Sequence, residues 1–171
     1  MTAAPVAAAA PTATPVQVAQ MARAKITLPK PTIGSAPCSA ANCMGAVGVP
    51  VWLWTDPANW RPITASASVA GITVNVQARM SSVAWSMGDG HTVTCATPGT
   101  KFDLSWGFRD SPDCGYRYQK TSRNQPDGRY TLRATATYDV VFSGAYTGTL
   151  NPTTSSTTSL AIGEYQVIIE R

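Results

Sequence analysis

The chain has 171 residues, a net charge of +4, a pI near 9.0 and only 13% charged residues, while Thr, Ser, Ala, Gly and Pro are plentiful. The length suits one ordinary domain plus an appendage, and the balance favours a β-rich, polar-surfaced protein over a helical one. The positive charges are scattered (Arg23, Lys25 and Lys30, then Arg109, Arg117, Lys120 and Arg123) without a basic helix or stacked-aromatic motif, which argues against nucleic acid as a partner.

Residues Met1–Ala13 are Ala, Pro and Thr, without periodicity. They read as a disordered or extended tether. The stretch lacks the basic n-region and Leu-like h-region of a signal peptide, and no segment is apolar enough to span a membrane. If the protein is exported, its signal is expected to have been removed. Thr14-Pro15 then reads as an N-cap followed by Pro at the first helical position. A short helix through Val18, Met21, Ala22 and Lys25 is predicted to stop before Pro29. Residues 1–27 form the first of three expected regions.

The second region, 28–63, opens with three prolines between Leu28 and Pro37 and should be extended. Cys38 and Cys43 lie close enough to form a small disulfide loop. Val47–Trp54 then turns apolar and aromatic. As a strand it would point Trp52 and Trp54 one way and Val51 and Leu53 the other. These rings either pack in a core or form a platform for a sugar ring or a protein.

From residue 64 the alternation becomes regular. Ala65–Val69 and Ile72–Ala78 flank Ala70-Gly71 as a hairpin. Val83–Met87 and His91–Cys95 flank Gly88-Asp89-Gly90 as a second. Cys95 and Cys114 bracket a long loop carrying Phe102, Trp106, Phe108 and Arg109. Cys38–Cys43 and Cys95–Cys114 are the economical pairing of four cysteines. The second would close a loop of about 20 residues, worth on the order of 3 kcal/mol. With one His and no CxxC, zinc is poorly supported, and disulfides imply an oxidising compartment. Gly115–Gln119 is a short strand with Tyr116 and Tyr118 on one face. Tyr130–Phe142 is the longest clean alternation, with Tyr130, Leu132, Ala134, Ala136, Tyr138, Val140 and Phe142 inward. Ser143–Ser159 is a hairpin or loop, and Leu160–Glu170 is a last strand. The expected fold for 64–171 is an all-β sandwich of about seven strands.

These residues resemble a PKD domain, an immunoglobulin-like sandwich. The family's Trp-Asp-Phe-Gly-Asp-Gly strand-turn is matched by Trp85-Ser-Met-Gly-Asp-Gly90. Its His-x-Tyr strand is matched by Tyr116-Arg-Tyr118, and its Gly-x-Tyr-x-Val-x-Leu by Gly128–Ala134. Ser86, Met87 and Tyr116 depart from the pattern. The resemblance gives Trp85, Gly88, Asp89, Gly90, Tyr118 and Tyr130 structural roles. The chain also resembles a group of exported actinobacterial proteins sharing Val47–Trp54, Gly88–Cys95, Pro98–Thr100 and Ser111–Tyr118. PKD domains act as extracellular adhesion, spacer or interaction modules, and that is what the resemblance implies here.

No signal for chemistry stands out. There is neither GxxxxGK[ST] nor GxGxxG, so nothing supports phosphate binding. His91 is the one candidate base, and no nucleophile elbow accompanies it. A calcium site from Asp89, Asp110 and Asp113 lacks a DxDxDG loop, so no metal or cofactor is expected. The expectation is a non-enzymatic, secreted or cell-envelope module that binds a protein or a cell-wall glycan. The alternative is a carbohydrate-binding accessory of a hydrolase system with exposed Trp platforms. Candidate binding residues are Trp52, Trp54, Phe102, Trp106, Phe108 and Arg109.

Overall fold

A computed structural model describes residues 4, 8, 9 and 12–165. Most of the Ala/Pro tether, and residues 166–171 of the expected last strand, lie outside the described residues. The protein is mostly β, with 41% strand and one short helix.

Helix α1 spans Pro15–Ala24. It starts where the sequence places a cap: Gln17 N donates to Thr14 Oγ1 at 3.3 Å and Thr14 N to Gln17 Oε1 at 2.9 Å. This reciprocal pair satisfies two amides that the first turn cannot. The buried stripe is Val18, Ala19 and Ala22, whereas the expected stripe member Met21 is 48% exposed. Small residues at 19 and 22 let the helix lie close to a sheet, and Met21 points away from it.

Strands β1 (Gly34–Ala36), β2 (Gly45–Ala46) and β3 (Val51–Trp54) precede the regular alternation. They are followed by β4 (Ile63–Val69), β5 (Ile72–Ser86), β6 (Thr92–Cys95), β7 (Gly115–Tyr116), β8 (Tyr130–Gly144), β9 (Gly148–Leu150), β10 (Thr153–Leu160) and β11 (Ile162–Gly163). About seven strands were expected from residue 64 onward; among the described residues eight occur there, β4–β11, of which β7 and β11 are only two residues long. Pieces that short cannot display a period of two.

The main sheet has the order β10-β8-β5-β4, with β6 also on β5 and β9 also on β8, all antiparallel. Its axis is β5 paired with β8, each 15 residues long, from Val74 opposite Gly144 to Ser86 opposite Arg133. Ile72–Ala78 and Val83–Met87, expected as two strands, are one. The register shifts between Met80 and Ser82, so the bulge keeps Val83 and Trp85 on the buried face despite the change of phase. The β4–β5 turn puts Ala70 at φ 50° and Gly71 at φ 81°, the left-handed pair that a two-residue hairpin wants.

One face of this sheet is buried: Val74, Val76, Ala78, Met80, Val83 and Trp85 from β5, and alternate residues from Tyr130 to Phe142 of β8. The other face is open to water and carries Thr73, Asn75, Gln77, Arg79, Thr131, Arg133 and Asp139. Helix α1 covers the buried face beside β4 and β5. A second sheet, β1-β3-β7, is tied to β6 by Cys95–Cys114. Its Val51 and Leu53 share one core cluster with α1, Trp85, Leu132 and Tyr138. A third, two-stranded sheet pairs β11 with β2 in parallel. Buried Ser122 holds that corner, its Oγ donating to Gly128 O (2.6 Å) and accepting from Ile162 N (2.8 Å).

Two expectations at the C-terminal side change. Within the expected hairpin or loop Ser143–Ser159, residues 148–150 and 153–159 are ladder-paired strand. Gly115–Gln119 is strand only at Gly115 and Tyr116, because Tyr118 leaves the ladder to pack its ring on Tyr130.

Candidate functional site

Both expected disulfides form, Cys38–Cys43 and Cys95–Cys114, and there are no free cysteines. They point to an oxidising, extracytoplasmic environment. No helix among the described residues is long and apolar enough to cross a membrane.

The loop between Cys95 and Cys114 is held from both ends. At its base Asp113 Oδ1 accepts from Thr100 N (3.0 Å) and Ser111 Oγ (3.2 Å), and Oδ2 from Thr97 Oγ1 (3.2 Å). Pro98 O accepts from Thr55 N at 2.7 Å, and Cys114 O from Leu53 N at 3.0 Å, which moors the loop to β3. Gly99 passes so close to that strand that a Cβ would lie 2.3 Å from Leu53 O. Its φ of +79° excludes a side chain a second time.

The loop then wraps around Trp52. That indole is 2% exposed and donates from Nε1 to Arg109 O at 2.9 Å. Trp106 stacks on it at 5.0 Å and 25°, and Phe102 meets it edge-on at 5.3 Å. The Arg109 guanidinium sits 5.4 Å from the Trp106 ring, so the stack runs from core to solvent. Asp103 caps a short 3-10 turn, Leu104–Trp106, by accepting from Ser105 N at 2.8 Å. Hydrogen bonds from Ser105 hold the Asp103 carboxyl below the usual carboxylate range. Arg117 grips Asp110 with Nε and Nη2, both at 3.0 Å, and Nη1 donates to Gly48 O. The guanidinium hydrogen bond likewise lowers the Asp110 pKa.

What this frame holds outward is apolar. Leu104 is 89% exposed and Phe108 74% exposed, with Lys101 and Arg109 exposed beside them. The structure thus brings together Trp52, Phe102, Trp106, Phe108 and Arg109, but in two roles. Trp52, Phe102 and Trp106 are support, and Phe108 and Arg109 are surface. Leu104, absent from the expected set, joins the surface; a lone Leu in a loop carries no sequence signal. Trp54 stands apart, half-buried over Gly34, where a Cβ would fall 2.0 Å from its Nε1. It borders a groove of about 450 Å³ with Thr32, Asp56 and Lys101.

The Gly88-Asp89-Gly90 turn builds a separate cluster. Asp89 accepts from Tyr116 OH at 2.7 Å and from His91 N at 3.1 Å, and His91 Nδ1 lies 3.3 Å from its Oδ1. Tyr118 OH donates to Met87 O, and its ring stacks on Tyr130 at 4.6 Å. Burial, then the bond to Asp89, drives the Tyr116 phenol pKa well above its ordinary value; burial does the same to Tyr118. Through these contacts Asp89 and His91 pin the Gly88-Asp89-Gly90 turn. Asp89, Asp110 and Asp113 each serve different partners. Among the described residues no three His, Cys, Asp or Glu side chains gather as metal ligands.

Compared with models of protein families, with curated proteins and with solved structures, the chain matches none.

Proposed function

We propose that this protein is a non-enzymatic interaction module of the cell envelope or extracellular space, built on a PKD-like sandwich. It binds a protein partner through the loop between Cys95 and Cys114. One observation carries the reading: Leu104 and Phe108, 89% and 74% exposed, stand on a loop fixed by a disulfide and by the stacking of half-buried Trp106 on buried Trp52. Exposed apolar side chains on a rigid support, flanked by Arg109 and Lys101, combine a hydrophobic anchor with low ordering entropy. The PKD-like reading draws support from Trp85, 1% exposed, and from Gly88 and Gly90, with φ of 84° and 93°.

The test is site-specific photocrosslinking in the envelope fraction of the source cell, with a photoreactive residue at 104, 108 or, on the opposite open face, 73. A discrete adduct from 104 and 108 but not from 73 is expected. Equal labelling from all three positions, or none, would overturn the proposal.

A glycan reading rests on Trp54 alone, through its groove with Asp56 and Lys101. Trp52 gives it no support, since its ring is 2% exposed, with Trp106 stacked on it and Phe102 edge-on. Loss of cell-wall binding in Trp54→Ala, with Leu104→Ser and Phe108→Ser unaffected, would favour this second reading.

A further inference from the structure

We propose that β10 is a self-pairing edge, through which two copies of this chain join their main sheets into one continuous antiparallel sheet.

The ladder phase shows which backbone groups are free. Tyr138 N donates to Pro152 O at 2.9 Å, in register with the β10–β8 pairing. Hydrogen-bonded pairs then recur every second residue. Thr154, Ser156, Thr158 and Leu160 therefore bond to β8. Thr153, Ser155, Thr157 and Ser159 turn N–H and C=O away from the sheet. Among the described residues, only the Ser159 carbonyl of these groups has a partner, Arg129 Nη2 at 3.1 Å.

The other edges are managed. Lys25 Nζ reaches the Ser66 carbonyl of β4 at 2.6 Å. Strands β6 and β9 are four and three residues long. Natural edges are blunted by charge, proline, bulges or shortness. The eight residues of β10, Thr-Thr-Ser-Ser-Thr-Thr-Ser-Leu, have none of these. Arg129 guards only the Ser159 end, and an edge left open from Thr153 to Thr157 suits pairing with another strand.

The sequence of β10 selects the occupant as a second copy. A two-fold axis through Ser155 sets Ser155 opposite Ser155 of the other copy, Thr153 opposite Thr157, and Thr154 opposite Ser156. Like meets like, and each residue keeps its face, as a register of two demands. The outward-facing residues 153, 155 and 157 centre on that axis. They form three pairs, each able to exchange two backbone hydrogen bonds. Threonine–threonine pairs across strands are favourable, and no charged side chain of β10 opposes its own copy. The Arg129 clamp and the Cys38–Cys43 loop, which it reaches through Ser39 O, lie at Ser159, beyond this register.

The register predicts a crosslink. In a hydrogen-bonded antiparallel pair the Cα atoms are about 5.5 Å apart, inside the ~4.4–6.8 Å span of a disulfide. Ser155→Cys in the full chain should oxidise under mild conditions to a covalent dimer of twice 18.0 kDa. Thr157→Cys alone should not, because Thr157 faces Thr153. Thr153→Cys with Thr157→Cys should. Unmodified protein should show a concentration-dependent dimer by sedimentation, and Ser155→Lys should abolish it while leaving the circular dichroism spectrum intact. The proposal is overturned by a monomer persisting to about 1 mM. It is equally overturned by a dimer that survives Ser155→Lys, or by Thr157→Cys crosslinking as fast as Ser155→Cys.

Discussion

Trp52→Phe removes the indole N–H that holds Arg109 O, and narrows the ring that Trp106 covers. The hydrogen bond contributes about 0.5–1.5 kcal/mol net. The weakened stack contributes roughly 0.5–1.5 kcal/mol more. The expected loss is therefore about 1–3 kcal/mol, or roughly 2–4 °C of Tm per kcal/mol for a chain of this size. Trp52→Ala, which leaves a cavity at a 2% exposed site, should lose about 3–5 kcal/mol. Guanidinium denaturation without reductant measures both. Trypsin reads the loop directly, because Lys101 and Arg109 are exposed cleavage sites within it. A cut there adds one water, and the pieces separate only on reduction, since Cys95–Cys114 spans them. If Trp52 positions the loop, cleavage of Trp52→Phe at these two sites should accelerate several-fold, with no change at Lys120 or Arg123. A Trp52→Phe protein of unchanged stability and unchanged cleavage would refute the claim that Trp52 anchors the loop.

Replacing Cys95 and Cys114 together by Ala should cost about 3 kcal/mol by the chain-entropy estimate, against about 2 kcal/mol for Cys38 with Cys43. Denaturation midpoints that rank the two the other way would contradict the idea that the larger loop gains more. Gly88→Ala should destabilise by roughly 1–3 kcal/mol, because φ is +84° and the new Cβ would meet Thr131 O at 2.6 Å; Gly90→Ala, with open space around it, should cost less. The raised phenols of Tyr116 and Tyr118 give an alkaline limit. The fold favours their neutral form, so their contribution is complete below the unfolded value of about 10 and is lost as pH rises beyond it. Burial raises Tyr130 and Tyr138 as well, so absorbance titration at 295 nm should show four of the tyrosines ionising late, Tyr116 and Tyr118 only with alkaline unfolding; free titration of all of them near pH 10 would contradict their burial. The Asp110 carboxyl should titrate below the ordinary carboxylate range by NMR, and Arg117→Gln should bring it back.

Period two in residues 64–142, sparse charge and the turn residues were enough to establish a β-rich chain, the inward faces of β5 and β8, and the Gly-Asp-Gly turn. Thr14 and Pro15 marked the helix start, because capping uses neighbours in sequence. The even cysteine count and close spacings gave the disulfides. The bulge that fuses two expected strands into β5 was not legible, because a one-residue shift of phase looks like a break in alternation. Nor was β10, whose run of serines and threonines alternates neither in polarity nor in burial. At the loop between Cys95 and Cys114, composition supplied the aromatic residues and Arg109, but not their division. Whether a tryptophan is a platform or a pillar depends on what lies against its second face. For Trp52 that is Trp106, 54 residues away in sequence, and no local pattern encodes it. Local chemistry determined which segments are strands, caps and turns. Only tertiary packing decided that Phe102 and Trp106 pack on Trp52 while Leu104 and Phe108 face water, because burial is a property of the partners a side chain finds.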